Sequence, residues 1–142
     1  MSPSEPVVER VSTSRMELHD IYESAHVEVR QRGADESSWV LASDAVRERG
    51  ECGVVITAWN PGQWRPTPEV NDAANQRLLR VLMEHGCEIW EADGFSPDRS
   101  FREPGFIAWG MDAETGCDIA REFGQFAIFY YLATGERQVM SA

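Results

Sequence analysis

The chain has 142 residues, 42% of them hydrophobic, which fits one globular domain with a single core. Its formal net charge of −11 argues against general binding to nucleic-acid backbone, because that binding needs clustered lysine and arginine. Cys52, Cys87 and Cys117 form no C-x-x-C pair and share no ligand spacing with the three histidines, so we expect reduced, packed cysteines and no metal or cofactor.

The N-terminus shows no pattern typical of export or membrane insertion. Residues 1–6 lack the basic and long apolar regions of a signal peptide, and no stretch approaches the roughly 20 apolar residues of a membrane span. We therefore expect a cytoplasmic protein with no membrane partner. Residues 1–13, rich in serine, proline and charge, are predicted to form a mobile tail, and residues 14–142 a single α+β domain.

The segment from residue 14 to residue 50 is predicted to contain two short helices and a pair of strands. The predicted elements are a helix that starts at 14–17, a strand at 25–30, a strand near 38–42 and a helix at 44–48. Ser14 and Glu17 have the spacing of a capping box, and Ser43 is the expected cap of the second helix. Gly50 is expected to end that helix.

Residues 53–132 alternate more clearly between strands and helices. The predicted elements are a strand at 53–59, a helix at 68–85, strands at 87–92 and 105–109, a helix that Asp112 caps, and a strand at 125–132. Thr67 is the expected cap of the long helix, Pro68 takes its first turn, and Gly86 stops it. The inward stripe of this helix is predicted to be Val70, Ala74, Leu78, Val81, Leu82 and His85.

This order of elements, β-α-β-β-α-β, is the split βαβ of ferredoxin-like folds. In that topology the first and third strands are central, and here residues 54–56 and 106–109 are unbroken apolar runs. The fold class we predict is α+β, with a ferredoxin-like unit at residues 53–132 and a C-terminal edge strand at 137–140. The N-terminal strand pair would extend the sheet or cover its open face.

A rigid turn follows the first of these central strands. The run Val54-Val55-Ile56 continues into Trp59-Asn60-Pro61-Gly62, in which Asn and Gly favour turns and Pro61 lacks a backbone donor. The sequence therefore predicts that a buried strand delivers an aromatic ring and a side-chain amide to one edge of the sheet.

The strand order predicts which other polar side chains reach this edge. In a ferredoxin-like sheet of order 4-1-3-2, the end of the first strand lies beside the starts of the third and fourth strands. This relation places Asn60 near Glu103 and Gln125. The long helix begins at the same edge, where it brings Asn71 and the positive end of its dipole, and Asp93 lies further along the rim.

The sequence also resembles a known family. The blocks that carry the resemblance are Ile56 to Pro61, Asn71, Leu78 to Leu82 before Gly86, Phe101-Arg102-Glu103, and Phe123-Gly124-Gln125-Phe126-Ala127. They resemble an uncharacterised bacterial family, the domain of unknown function 3293, over about residues 53–130. This chain has Phe101 where that family usually has Trp, and Phe126 where it usually has Asn. The resemblance implies no known activity, but it supports the position of the site.

Each polar candidate has a structural and a functional interpretation. Asn60 and Asn71 either form the turn and the helix start or contact a ligand through their amides. Glu103 either forms structural hydrogen bonds or, when buried with a raised pKa, acts as an acid or base. Gln125 follows a helix end, where it would satisfy loose carbonyls or join the site.

The aromatic and basic candidates have the same two interpretations. Trp59 is expected in the core or against a ligand, whereas Trp64 lies in a loop and is the better stacking residue. Arg65 would bind a phosphate or carboxylate, or lie exposed without a ligand.

Two functions from different classes are consistent with these residues. The first is a small polar-ligand pocket lined by the candidate residues, with Trp64 and Arg65 as a lid; any catalysis there would use Glu103 as the general base, because no histidine joins the cluster. The second is an acidic interaction module, for a protein partner or a second copy of the chain, in which the amides only brace loops.

Overall fold

The computed structural model of the chain describes residues 9–10, 15–61 and 64–142. Over these residues the fold class is α+β, as predicted. The helices are α1 (Arg15–Ser24), α2 (Ala42–Arg49), α3 (Pro68–Glu84) and α4 (Ala113–Glu122), with a short 3-10 helix at Glu36–Ser38. The strands are β1 (Glu9–Arg10), β2 (His26–Gln31), β3 (Val40–Leu41), β4 (Gly53–Ile56), β5 (Trp64–Arg65), β6 (Ile89–Phe95), β7 (Arg102–Trp109), β8 (Ala127–Tyr131) and β9 (Arg137–Ser141).

Seven of the described strands form one antiparallel sheet in the order β3-β2-β6-β7-β4-β8-β9. β4 lies between β7 and β8, so the end of β4 is next to the starts of both strands. This is the neighbour relation on which the predicted site depends. The N-terminal strands β2 and β3 extend the sheet beyond β6, while β1 pairs with β5 in a separate two-stranded sheet.

The sheet has a hydrophobic core on each face because its strands alternate in side-chain direction. Val54 and Ile56 contribute to the core that α3 and α4 cover. Val55 points the opposite way, into the core that α2 and Tyr22 of α1 cover. Helices therefore cover both faces of the central strands, which explains why these strands are apolar without alternation.

The predicted starts of α3 and α4 are confirmed. Thr67 Oγ1 accepts from the backbone N–H of Val70 at 3.4 Å, and Pro68 is the first residue of α3. Asp112 Oδ1 accepts from the backbone N–H of Thr115 at 2.7 Å at the start of α4. Each cap satisfies a backbone donor that has no partner within its helix.

Two details of the helix predictions are wrong. Ser43 does not cap α2, because the helix begins at Ala42 and places Ser43 in its first turn. His85 does not belong to the inward stripe of α3; it is the exposed residue after the last helical turn. Gly50 does end α2, and its backbone N–H donates to the carbonyl of Val46 at 2.8 Å.

Most strands differ in length from their predictions, and the structure shows the reason for β4, β6 and β3. β4 stops at Ile56 because Thr57 Oγ1 donates to the carbonyl of Pro104 at 2.6 Å and accepts from the N–H of Trp59 at 2.9 Å, which turns the chain. β6 continues through Asp93 and Gly94 to Phe95, since both β2 and β7 pair with it there. β3 is shorter than predicted, since Glu36–Ser38 forms a 3-10 helix instead.

Some predictions concern residues outside the described ones. Ser14, the predicted helix cap, and Gly62, a predicted turn residue, lie outside the described residues. So does most of the predicted tail at residues 1–13, of which only the strand β1 is described. Within the described residues no helix is long and apolar enough to cross a membrane.

Candidate functional site

The turn after β4 is held by two asparagines. Asn60 has a left-handed backbone conformation with φ of 50°, which Asn tolerates better than most residues. Asn71, in the first turns of α3, is only 2% exposed. Its Oδ1 accepts from the backbone N–H of Asn60 at 2.9 Å, and its Nδ2 donates to Asn60 Oδ1 at 2.9 Å. The two side chains predicted to meet at this edge therefore bind each other.

A third asparagine, which the sequence analysis did not single out, braces the same turn. Asn75 Oδ1 accepts from the backbone N–H of Ala58 at 2.9 Å, and its Nδ2 donates to the carbonyl of Pro104 at 3.0 Å. Asn71 and Asn75 are one helical turn apart and share the buried face of α3 with Leu78. The sequence signal that could have identified Asn75 was the position of two amide side chains, Asn71 and Asn75, on the face of α3 that also carries its buried apolar residues.

Gln125 reaches the turn from its other side. It is 7% exposed, and its Nε2 donates to the carbonyl of Trp59 at 3.2 Å. Its backbone N–H donates to the carbonyl of Ala120 at 2.9 Å, which satisfies the end of α4. The helix-end role and the position at the predicted site are thus both observed. Trp59 itself is partly buried.

Glu103 is near this turn in the sheet but on the opposite face. Side chains alternate along β7, so Phe106 packs in the core that α3 covers, while Glu103 and Ile107 face the side on which Tyr22 of α1 packs. Among the described residues no hydrogen bond joins Glu103 to the amides. The predicted cluster is therefore split by the sheet: Asn60, Asn71 and Gln125 lie together, and Glu103 faces a separate cavity.

That cavity has a volume of about 30 Å³. Its walls are mostly apolar and its polar side chains are Glu103, Thr57 and Tyr22; the full lining is Tyr22, Val55, Ile56, Thr57, Ala92, Gly94, Glu103, Gly105, Ala127 and Phe129. Burial raises the pKa of the Glu103 carboxyl to about 7, although the positive charge of Arg65 acts in the opposite direction. The carboxyl can therefore gain or lose a proton near neutral pH.

Tyr22, in α1, lines one side of the cavity. The weak helical pattern of α1 in the sequence did not predict this position for Tyr22. Its ring centre lies 5.4 Å from that of Phe129 and 5.8 Å from that of Phe126. The backbone N–H of Ala127 donates toward its hydroxyl. Burial, and then the nearby Glu103, raise the pKa of the Tyr22 hydroxyl, which stays protonated at neutral pH.

Arg137 holds α1 in this position. Its guanidinium donates to the carbonyl of Ala25 at 2.7 Å and to that of Glu23 at 2.8 Å, at the C-terminal end of the helix. A positive charge there also interacts favourably with the helix dipole. The wall that α1 contributes to the cavity is thereby tied to β9.

Trp64 and Arg65, the residues predicted to form a lid, lie in a short strand and do not line the cavity. They form β5, which pairs with β1, and Trp64 is 46% exposed. The Arg65 guanidinium lies 5.6 Å from the ring centre of Phe101. It is close enough to Glu103 to affect the pKa of that carboxyl, yet the two side chains form no ion pair. The positive charge of Arg65 therefore favours the ionised form of the Glu103 carboxyl without an ion pair between the two side chains.

Asp93 is not at the rim but inside β6. It is 4% exposed and pairs with Arg102 on the α3 side of the sheet. Burial raises the pKa of the Asp93 carboxyl, and the Arg102 guanidinium opposes this effect. Asp93 therefore belongs to a different group of charges from Glu103.

Within the described part of the chain, no group of three or more His, Cys, Asp or Glu side chains could hold a metal ion.

Comparison with curated proteins and with solved structures gave no match. A family model described as "Protein of unknown function (DUF3293)" matches residues 56–128, about half of the chain, from the end of β4 into β8. The matched segment contains the asparagine turn, Glu103 and Gln125. The chain belongs to this family of unknown function.

Proposed function

We propose that this protein binds a small polar ligand at the Glu103 cavity. The observation that carries the proposal is a carboxyl that lines a cavity and to which no described group donates a hydrogen bond. A partly buried carboxyl without a donor is poorly solvated in its ionised state, so a ligand that supplies donors would be bound favourably. Thr57 and the Tyr22 hydroxyl are the other polar side chains that such a ligand would meet.

The amides have a supporting role in this proposal. The side chains of Asn60 and Asn71 form a hydrogen bond with each other, and the side-chain N–H of Gln125 donates to the carbonyl of Trp59. They fix the turn at Trp59 and Asn60, which follows Thr57 on the cavity wall. We infer that ligand contact falls on Glu103, Arg65 and Trp64, and that Trp59, Asn60, Asn71 and Gln125 position them. Glu103 is also the group that would transfer a proton in any reaction at this site.

The test is a thermal-shift screen of small polar compounds, followed by native mass spectrometry of the compounds that raise the melting temperature. It compares the wild type with Glu103→Gln and with Glu91→Gln, which removes a carboxyl that pairs with Arg30 at 2.7 Å outside the cavity. We expect a compound that stabilises the wild type and Glu91→Gln but not Glu103→Gln. Equal stabilisation of all three proteins by every active compound would refute a site at Glu103.

A protein partner is the second candidate, and one observation favours it. The edge strand β3 exposes Val40 and Leu41, each by 46%, and an edge strand can pair with another chain. The net charge of −11 would select a basic partner over a second copy. Binding of a basic protein by the immobilised wild type but not by Val40→Lys would support this candidate, and self-association of the wild type alone, measured by size-exclusion chromatography with light scattering, would assign the edge to a second copy.

We also assign residues 53–132 to the ferredoxin-like class. The support is the order β8-β4-β7-β6 with antiparallel neighbours, and α3 and α4 packed on one face. An experimental structure compared with ferredoxin-like domains tests this assignment.

The cytoplasmic location predicted from the sequence is likewise a proposal, which fractionation of cells that express the protein would test.

A further inference from the structure

The charge of the Glu103 cavity comes from a single side chain. Among the described residues that line the cavity there is no lysine, arginine or histidine, and the other polar side chains, Tyr22 and Thr57, are neutral hydroxyls. Arg65 acts on the carboxyl by charge but does not line the cavity. An ionised Glu103 therefore has no counter-charge on the cavity wall, and the net charge of −11 of the chain adds to its attraction for cations.

The groups around Glu103 leave its carboxylate oxygens available to a ligand. Thr57 Oγ1 donates its hydrogen to the carbonyl of Pro104 at 2.6 Å and so has none for Glu103. Ala92 and Gly94 belong to β6, which pairs with β2 and with β7, so their backbone N–H groups lie in the plane of the sheet. Because no described group donates a hydrogen bond to the carboxyl, the ligand must bring the donors.

Small residues create the space beside the carboxyl, and its size limits the group that enters. Ala92 and Gly105 are register partners on β6 and β7, and a Cβ on Gly105 would lie 2.5 Å from the carbonyl oxygen of Ile56, so this position favours glycine. The cavity of about 30 Å³ has room for roughly one or two groups the size of a water molecule. An ammonium group with its adjoining methylene suits this space, whereas a planar guanidinium group is larger.

The walls and the opening of the cavity also suit an amine. Val55, Ala127 and Phe129 line it with apolar surface, against which the methylene next to an ammonium group can pack. Glu103 is partly exposed, so the rest of the ligand can extend to the surface. Hydrogen bonds from an ammonium group to a carboxylate are roughly twice as strong as bonds between neutral groups, which favours an amine over an alcohol.

We propose that the ligand is a small primary amine, whose ammonium group enters the cavity and donates hydrogen bonds to the Glu103 carboxylate. This inference rests on the proposed ligand site at Glu103 and names the chemical class of its ligand. The carboxyl is ionised in the complex, so a Glu103 that carries a proton in the free protein releases it to solvent when the amine binds.

The test is an NMR titration of the ¹⁵N-labelled full chain with ethylamine, with ethanol and with tetramethylammonium at constant ionic strength. Ethanol has the size of ethylamine without its charge, and tetramethylammonium has the charge without an N–H donor. We expect ethylamine to shift the amide signals of Gly94 and Gly105, which line the cavity, and to bind about tenfold or more tightly than either other probe. Equal binding of ethanol or tetramethylammonium at these signals would overturn the inference, while the proposed ligand site would stand.

Two variants test the carboxylate and the space separately. Glu103→Gln keeps the size of the side chain but removes its charge, and it should weaken ethylamine binding about tenfold or more. Glu91→Gln, which changes a carboxyl outside the cavity, should leave binding unchanged. Gly94→Ala adds a methyl group that meets nothing closer than the Glu103 carbonyl at 4.0 Å, so it should fit the fold and reduce binding by filling the cavity.

The variants and the compound screen also separate the two levels of the proposal. Ethylamine binding that is unchanged in Glu103→Gln would overturn the contact between the ammonium group and the carboxylate. If no probe and no compound from the screen shifts the Gly94 and Gly105 signals, both this inference and the proposed ligand site are wrong.

Discussion

Asn71 binds Asn60 through two hydrogen bonds of 2.9 Å, one to its backbone N–H and one to its side-chain oxygen. The pair ties the first turns of α3 to the turn that follows β4. Because Asn71 is 2% exposed, these bonds are protected from competition with water. The relation gives a direct prediction for the stability of the protein.

Asn71→Ala should lower the free energy of unfolding by about 2–4 kcal/mol, because it removes both bonds and leaves the N–H of Asn60 without its partner. Urea denaturation followed by tryptophan fluorescence measures this change. The matched control is Asp72→Ala, which alters the exposed neighbour of Asn71 in the same helix. A loss as small as that of the control would show that the pair does not stabilise the turn.

Two substitutions of Asn60 separate the effect of its backbone conformation on stability from the effect of its side-chain hydrogen bond. Its φ of 50° is unfavourable for alanine but not for glycine. Both Asn60→Ala and Asn60→Gly lose the side-chain oxygen, so we expect the alanine variant to be less stable by about 1 kcal/mol. The difference in urea midpoint between the two variants measures this effect. The reverse order of stabilities would contradict a strained turn.

The carboxyl of Glu103 should make stability depend on pH. Its pKa is about 7 in the native protein against an ordinary value of 4.5, so the unfolded chain loses this proton at lower pH than the native protein does. Its contribution to the free energy of unfolding is complete below pH 4.5, falls as the pH rises to about 7, and stays low above that. Arg65 is the charged side chain that lowers this pKa, and Glu103 in turn raises the pKa of the Tyr22 hydroxyl.

Glu103→Gln keeps the side chain neutral and should abolish this pH dependence. At pH 8 the variant should be more stable than the wild type by about 1–3 kcal/mol, and at pH 4.5 nearly equal to it. Urea denaturation between pH 4.5 and pH 8 gives both values. Glu91→Gln serves as the control, and the prediction fails if Glu103→Gln shows the pH dependence of the wild type.

Arg49 joins α2 to the sheet through two tryptophans and two carboxylates. Its guanidinium lies 4.4 Å from the ring centre of Trp109 and 5.8 Å from that of Trp90. It also pairs with Glu51 at 2.8 Å and with Glu88 at 2.7 Å. Each contact is weak when exposed, but together they restrain one planar group over an aromatic surface.

Arg49→Ala should lower the free energy of unfolding by about 1–2 kcal/mol, and Arg49→Lys should restore less than half of that loss, because an ammonium group lacks the planar fork. Thermal unfolding measures both effects. Arg47→Ala is the matched control, since Arg47 is exposed and pairs with Asp44 within the same helix. A lysine variant as stable as the wild type would show that charge alone is needed.

The sequence was sufficient for features that depend on local chemistry. Thr67 and Asp112 cap their helices as predicted, because a side-chain oxygen next to unpaired backbone donors acts over a few residues. The unbroken apolar runs of β4 and β7 predicted strands covered on both faces. The neighbour relation of β4 with β7 and β8 correctly placed Asn60, Asn71 and Gln125 together.

The tertiary structure decided what depends on the direction of a side chain or on distant partners. The pleat of β7 turns Glu103 away from the amides, because adjacent residues of a strand point to opposite faces and a shift of one residue reverses them. Asp93 and Gly94 resemble a turn in the sequence, yet two neighbouring strands pair with them and keep the chain extended. The cavity needs Tyr22 from α1, which only packing brings to Glu103. The sequence by itself therefore determined the four helices, the seven strands of the main sheet and the edge at which polar residues gather, and the three-dimensional packing decided which of those residues share a site.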